Sequence, residues 1–385
     1  KFTEPITGPV LPQITHPIGN SIIGMILYRL LGIQVTTGLL AYGIVTGSIC
    51  SVLCYGIGSC VVNKRIGVLA GLIYALYPPA MKMSTDLSLL GSAAFYVLLS
   101  TWAFIKGTKS DGFSKRYIIL SGVSIGLIGY FRYDWMLLAP VFPFALLLRR
   151  IKIKRILIVF GILLVIQFAV LAPLAIRSRV LTGSYRFTAS TLGWVLLNGL
   201  GQYPNPWGID GSDGARYREA EEAGFPSASS PEANEMFINR FIGSIRSQPL
   251  AYMKILARRM VFIATPYQWG IEDIGRNSDS TSFVYQRAQV GLAKSLGVAL
   301  RERWPQLLSG FLMFAGLCGY LSLFWNEEKN KLAAVTVFLV FVYGFTAHFF
   351  TRMTARYLFP GLFMQTIGLA YAISRIQNKI YARRK

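Results

Sequence analysis

The sequence predicts an all-α polytopic membrane protein, a bundle of transmembrane helices with a helical insertion on its outer face. Three observations predict it. The 385 residues are 53% hydrophobic, 14% aromatic and only 15% charged, with a mean hydropathy of +0.47, which is too apolar for an ordinary water-soluble globule. Apolar runs of about 17 to 25 residues, long enough to cross a hydrocarbon core, recur along the chain. The 39 Lys and Arg residues outnumber the 17 Asp and Glu, for a net charge of +22, and cluster between those runs as orienting charge does, so no nucleic-acid partner is implied. Cys50, Cys54, Cys60 and Cys318 all lie inside apolar runs, where thiols pack as small hydrophobes and suggest neither a disulfide framework nor a zinc site.

Nine spans follow in order: residues 35–62, ending at Asn63-Lys64-Arg65; 66–81, ending at Pro78-Pro79; 86–105; 117–131; 134–148; 156–176; and, after a long polar stretch, 307–325, 332–350 and 357–374. Lys and Arg are unevenly shared between alternate loops. Residues 63–65, 106–116, 149–155, 326–331 and 375–385 carry 2, 4, 5, 2 and 5, whereas residues 82–85, 132–133 and 351–356 carry 1, 1 and 2. The positive-inside rule puts the first set in the cytoplasm and the second outside, together with the N-terminal stretch and residues 177–304. The chain opens at Lys1-Phe2-Thr3, in a polar, Pro-rich stretch that reads as the middle of a loop, and a further helix is expected upstream. Three regions result: N-terminal helices over 1–176, an extracytoplasmic insertion over 177–304, and C-terminal helices with a basic tail over 305–385.

The insertion reads as structured. Ser230-Pro231-Glu232 is a helix start, with Ser as cap and Pro in the first turn, and Phe237, Ile238, Phe241, Ile242 and Ile245 form one apolar stripe. Gln248-Pro249 breaks that helix. A second, over residues 250–263, sets Lys254, Arg258 and Arg259 against Ile255, Leu256, Val261 and Phe262, a pattern suited to the membrane interface. No repeat of 20 to 50 residues recurs.

Phosphate-loop, zinc-protease and serine-hydrolase motifs are absent, and two histidines, His16 and His348, make a histidine-based metal site a poor expectation. The candidates for chemistry are ionisable groups at the outer helix ends, because charge near hydrocarbon is costly. Asp86, in Lys82-Met83-Ser84-Thr85-Asp86, is either a helix cap or a carboxylate at a cavity mouth, placed for a divalent ion, a sugar hydroxyl or a proton. Arg132-Tyr133-Asp134 reads as a local ion pair or a substrate contact, with the pair favoured. Arg356 and Tyr357 open the last span from outside, where a guanidinium can either bind phosphate in bidentate fashion or snorkel. His16-Pro17 precedes an amphipathic stretch to Leu31, where a structural role is the commoner one. In Tyr203-Pro204-Asn205-Pro206-Trp207-Gly208-Ile209-Asp210, the ring of Trp207 could stack on a sugar, or the loop could simply lie on the bilayer.

Several segments together resemble the GT-C superfamily of polyprenyl-phosphate-sugar glycosyltransferases, in the branch containing protein O-mannosyltransferases and the aminoarabinose transferase. His16-Pro17-Ile18-Gly19-Asn20, with Tyr28-Arg29-Leu30-Leu31-Gly32 after it, resembles the family's His-Pro-Pro-Gly-Tyr-Pro and Tyr-Arg-Leu-x-Gly, in the same order. Gly67 to Pro79 resembles its second full span, and Asp86 falls where many members carry an acid. Arg177-Ser178, Ser190-Thr191-Leu192-Gly193 and Asn198-Gly199 are similar to a later series, and Arg356-Tyr357-Leu358-Phe359-Pro360 to a late Arg-Tyr-x-x-Pro. Two departures stand out: Ile18-Gly19-Asn20-Ser21 replaces Pro-Gly-Tyr-Pro, and the family's first-loop aspartate has no counterpart before Asp86 except Glu4, which sits too close to His16-Pro17 to match it, so that either the loop lies upstream of Lys1 or the chain lacks this base. The resemblance implies a multi-pass enzyme of a cytoplasmic or endoplasmic-reticulum-type membrane. It would transfer a sugar from a polyprenyl-phosphate donor to a lipid, glycan or protein acceptor on the extracytoplasmic side, with surrounding membrane lipids. Asp86 would be the visible carboxylate, acting on a proton or holding a divalent cation, and Lys82 and Arg356 would face phosphate, with Tyr357, His16, Arg132 and Trp207 as further substrate contacts. A non-catalytic scaffold subunit that keeps the fold is the rival reading.

Overall fold

A computed structural model describes residues 17–87, 89–109, 113–148, 151–183, 185–187, 191–264, 304–326, 330–352 and 358–384. His16, Arg356 and Tyr357 lie outside the described residues. The described chain is helical, and each of the nine expected spans has a helix in its place.

In chain order the helices are α1 (Gly19–Leu31), α2 (Val35–Val61), α3 (Lys64–Leu76), α4 (Pro78–Thr85), α5 (Leu89–Thr108), α6 (Lys115–Ile128), α7 (Leu138–Leu147) and α8 (Ile153–Thr182). The insertion holds α9 (Leu192–Leu200), α10 (Asp213–Glu222), α11 (Pro231–Ser247) and α12 (Pro249–Ala264). Then come α13 (Trp304–Asn326), α14 (Lys331–Phe349) and α15 (Phe363–Arg384). Four of these, Val35–Val61, Leu89–Thr108, Ile153–Leu181 and Lys331–Phe349, are long and apolar enough to cross a membrane unaided.

The expected span over 66–81 is one helix in the sequence reading and two in the structure. α3 and α4 bend by 59° at Tyr77. Pro78 cannot donate to the preceding turn, and the residue before a proline is driven out of the α region. Tyr77 accordingly has ψ 113, and the two prolines start α4 at positions where no amide donor is required. The sixth span also differs, since α8 runs past Ile176 to Thr182 and closes on left-handed Gly183, φ 75, whose N–H donates to Arg179 O.

α13 packs along α15, α2 along α3 and α5, α6 against both α5 and α8, α7 against α14, and α15 against α3. Small residues let these backbones close up. A Cβ on Gly368 would overlap the carbonyl of Gly316 across the α13–α15 seam, and one on Gly43 would overlap that of Ser84, so α4 lies directly on α2. One core runs through the bundle, with Phe104, Trp135, Phe142, Tyr320 and Phe363 fully buried, and a second, smaller core around Trp194, Leu197 and Phe237 makes the insertion a folded unit.

Within the insertion, the Ser230 hydroxyl accepts from Ala233 N (3.2 Å), the cap expected from Ser-Pro-Glu, and the chain breaks at Gln248. Helices α9 and α10 went unseen in the sequence: α9 has only nine residues, and α10 is mostly polar, started by Ser212 capping Ala215 N at 3.3 Å. Arg259 also departs from expectation. Read as part of a polar face, it is fully buried.

Candidate functional site

The turns read as outer loops meet at one end of the bundle, and α1 ties two of them together. Gly19 N donates to Tyr130 O (2.7 Å), and the next residue's side chain, Asn20 Nδ2, donates to Leu87 O (2.8 Å). One contact reaches the α6–α7 turn that carries Arg132, and the other the α4–α5 turn that carries Asp86. A Cβ at Gly19 would press into both Tyr130 O and the Phe131 ring, so this docking needs glycine. At the opposite end Arg65 Nη2 reaches Gln377 Oε1 (3.3 Å), joining two of the basic segments.

Asp86 closes α4 rather than heading α5. It has extended backbone (φ −86, ψ 139), and its N–H bonds Lys82 O at 2.9 Å. A carboxylate at a helix C-terminus opposes the dipole, so capping does not account for it. Asp86 lines a small crevice with Asn20, Leu39, Tyr42, Met83 and Ser92. Among the described residues neither the Asp86 carboxylate nor the Lys82 ammonium has a hydrogen bond or ion pair. Both are partly exposed. The crevice offers a divalent cation a single carboxylate, and no group of three or more His, Cys, Asp and Glu side chains is assembled among the described residues. That donor set fits a proton or a hydroxyl better than a metal.

At the second turn the rings of Tyr96, on α5, and Phe131 stack at 5.4 Å. Here Arg132 grips Asp134 in bidentate fashion (Nε–Oδ1 2.8 Å, Nη2–Oδ2 2.5 Å), and His348 Nε2, from α14, stands 2.9 Å from the same Oδ2. The Tyr343 hydroxyl donates to Asp134 O (2.5 Å) and accepts from Leu137 N (3.2 Å), and Gln167 Nε2 of α8 donates to Met136 O (2.8 Å). Trp135 plugs the bundle below, its ring set where any side chain on Gly344 would overlap. Four elements thus hold one short turn, with Arg132 engaged in holding it.

Trp207 is half-buried against the insertion core rather than displayed as an open platform. Its loop is organised by Asn205, which donates to Tyr203 O (3.1 Å) and Ile209 O (2.8 Å) and accepts from Ile209 N (3.0 Å). Asp210 accepts from Ser212 N and Oγ (2.8 and 2.9 Å), and that amide bond first, aided by Arg216 and Arg218, draws its carboxyl below the ordinary range.

The sequence reading missed the residues that fasten the insertion to the bundle. Buried Arg259 donates from Nη1 to Phe349 O (2.6 Å) and from Nη2 to Gly199 O (2.7 Å). The Tyr252 hydroxyl reaches Phe350 O (3.3 Å) and Arg352 Nη1 reaches Asp213 Oδ1 (3.4 Å), an oxygen that Asn198 and Trp194 also contact at 2.7 and 3.1 Å. His348 carried a usable signal, as an ionisable group inside an otherwise apolar span. For Arg259 there was none, because it sits next to Arg258, which instead lies over the Tyr203 ring at 5.7 Å.

This architecture defines a class. The apo oligosaccharyltransferase of Archaeoglobus fulgidus has the same fold at a TM-score of 0.53 and 14% identity, over 96% of this chain and 43% of that one. The archaeal oligosaccharyltransferase AglB from that organism, in complex with an inhibitory peptide and a dolichol-phosphate, gives 0.50 and 15%, over 95% and 42%. ArnT from Cupriavidus metallidurans bound to undecaprenyl phosphate is 15% identical over 94% of this chain and 68% of that one, at a TM-score of 0.39. The chain spans less than half the length of the oligosaccharyltransferases it matches. Its fold is the GT-C transmembrane helix bundle. Within that class, residues 15–176 match the family described as dolichyl-phosphate-mannose-protein mannosyltransferase, the branch toward which the motifs from His16 onward pointed. No curated protein matches the sequence.

Proposed function

We propose that the chain is a glycosyltransferase that moves a sugar from a polyprenyl-phosphate donor to a lipid, glycan or protein acceptor on the extracytoplasmic face of its membrane. The observation that carries this reading is Asp86: a carboxylate without a partner among the described residues, lining a crevice at the end where the outer turns meet, inside the stretch that matches the mannosyltransferase family. The family's description names a dolichyl-phosphate sugar as donor, and one structure of the same fold is in complex with a dolichol-phosphate.

The chemistry this assigns is a single displacement. The acceptor hydroxyl attacks the anomeric carbon, its proton passes to Asp86, and the bond from that carbon to the phosphate oxygen breaks. The lipid phosphate leaves with its negative charge, which Lys82 and Arg356 stabilise electrostatically. Arg132, paired with Asp134, holds the neighbouring turn in place beside the substrate, and His16, Tyr357 and Trp207 are assigned to substrate contacts.

The test uses the full chain reconstituted in vesicles with dolichyl-phosphate mannose and other polyprenyl-phosphate hexoses, following release of the lipid phosphate. Asp86→Asn should keep the fold and lose about 100-fold or more in rate, the scale of a general base. Release at the wild-type rate in folded Asp86→Asn would return Asp86 to a structural role. No release by the wild-type chain from any such donor would leave the scaffold reading standing.

A further inference from the structure

The amide of Asp86 closes the last turn of α4 on Lys82 O at 2.9 Å, and α5 begins at Leu89. Leu87, the residue after Asp86, belongs to neither helix, so its carbonyl has no donor from a helical ladder. Asn20 of α1 supplies one across 67 residues of sequence, Nδ2 donating to Leu87 O at 2.8 Å. Among the described residues this is the only hydrogen bond of that side chain, since Oδ1 is buried without a partner. α1 is itself a fixed reference. Its first amide, Gly19 N, bonds Tyr130 O at 2.7 Å, and no side chain fits at Gly19 between that carbonyl and the Phe131 ring. Further along, Val35 of α2 sits against Gly24, and Leu27 of α1 against Gly38, so the two helices lie in close contact. Asn20 and Asp86 line the same crevice.

We infer that Asn20 is a positioning residue for Asp86. By holding the peptide group one residue beyond it, Asn20 fixes where the carboxylate stands when an acceptor hydroxyl arrives. A general base must lie within hydrogen-bond reach of the proton it takes, and a misplacement of about 1 Å can cost on the order of 100-fold in rate. A carboxamide suits this task, because it donates to a carbonyl and brings no charge into a crevice lined by a carboxylate. The inference rests on the proposed function, since it takes Asp86 to be the base.

The experiment measures kcat and the KM for donor separately, on the full chain in vesicles supplied with the polyprenyl-phosphate hexose that wild type uses best. Asn20→Ala should lower kcat about tenfold, the worth of one hydrogen bond, and leave KM within about twofold. Ser21→Ala, at the exposed neighbour on α1, should stay within about twofold in both. The deciding comparison is made on the residual rate of Asp86→Asn. There the added Asn20→Ala should remove no more than about a further twofold, because the group that Asn20 positions is already gone. Should Asn20→Ala fail to fold, Asn20→Asp keeps the shape, loses the donor to Leu87 O and should cost at least as much in kcat. Wild-type kcat in whichever of the two folds would overturn the inference alone. So would a loss confined to KM, an equal loss in Ser21→Ala, or the same tenfold loss in the Asp86→Asn background, which would make Asn20 a packing residue. If wild type transfers no sugar, or folded Asp86→Asn keeps the full rate, the reading of Asp86 as base falls and takes the inference with it.

Discussion

Asp134 and Arg132 illustrate how one residue's task is set by its surroundings. The pair is only about a fifth exposed (21% and 23%), and His348 shares the same carboxylate oxygen. Removing Arg132 alone leaves an acid with its strongest partner gone, which costs more than removing both. Arg132→Ala should therefore destabilise the folded chain by about 1–2 kcal/mol, discounted for partial exposure, and Arg132→Ala/Asp134→Ala should recover part of that. Thermal unfolding of the two variants and of Asp134→Ala in detergent closes the cycle. If Arg132→Ala leaves stability unchanged and raises only the KM for donor, the arginine serves substrate and not the turn. The pairing itself was legible in Arg132-Tyr133-Asp134 because its partners are two residues apart. His348 and Arg259 were not, since their partners lie on other elements and sequence spacing does not say which helix ends meet.

At the scale of elements, what the chain writes locally came through: apolar runs for the spans, Ser230 for the start of α11, Gln248-Pro249 for its end. The bend at Tyr77 was half legible. Pro78-Pro79 marked the end of a span, but whether the chain stops there or turns and continues depends on the surface that receives the second piece, here the glycine face of α2. The seam between α13 and α15 gives an element-scale prediction. Gly368 faces the carbonyl of Gly316 and the backbone of Tyr320 at a distance that excludes any Cβ. Gly368→Ala should force the two helices apart and lower stability by about 1–3 kcal/mol, the usual cost of overpacking. Gly161, which has open space around it, is the control. Gly161→Ala should be neutral or slightly stabilising, because alanine is the better helix former. Equal melting temperatures for the two variants would show that the seam gives way at no cost.

At the scale of the whole molecule, two independent lines agree on which ends lie together. Charge counting separates the loops into a basic set and a poor set, and the contacts join members within a set: Gly19 to Tyr130, Asn20 to Leu87, His348 to Asp134 and Arg259 to Phe349 at one end, Arg65 to Gln377 at the other. The contacts agree with the partition but carry no sign, and only the positive-inside rule says which end faces the cytoplasm. The prediction is that the end bearing the insertion is extracytoplasmic. Labelling should start from a chain with Cys318→Ser, because Cys50, Cys54 and Cys60 are buried and Cys318 is the exposed thiol. Single cysteines would then be placed at Glu222, exposed at the end of α10, and at Lys154, exposed near the start of α8. An impermeant maleimide should modify Glu222→Cys in intact cells and reach Lys154→Cys only after the membrane is opened. The opposite pattern would invert the molecule, place Asp86 and the insertion on the cytoplasmic side, and remove the extracytoplasmic acceptor from the proposed reaction.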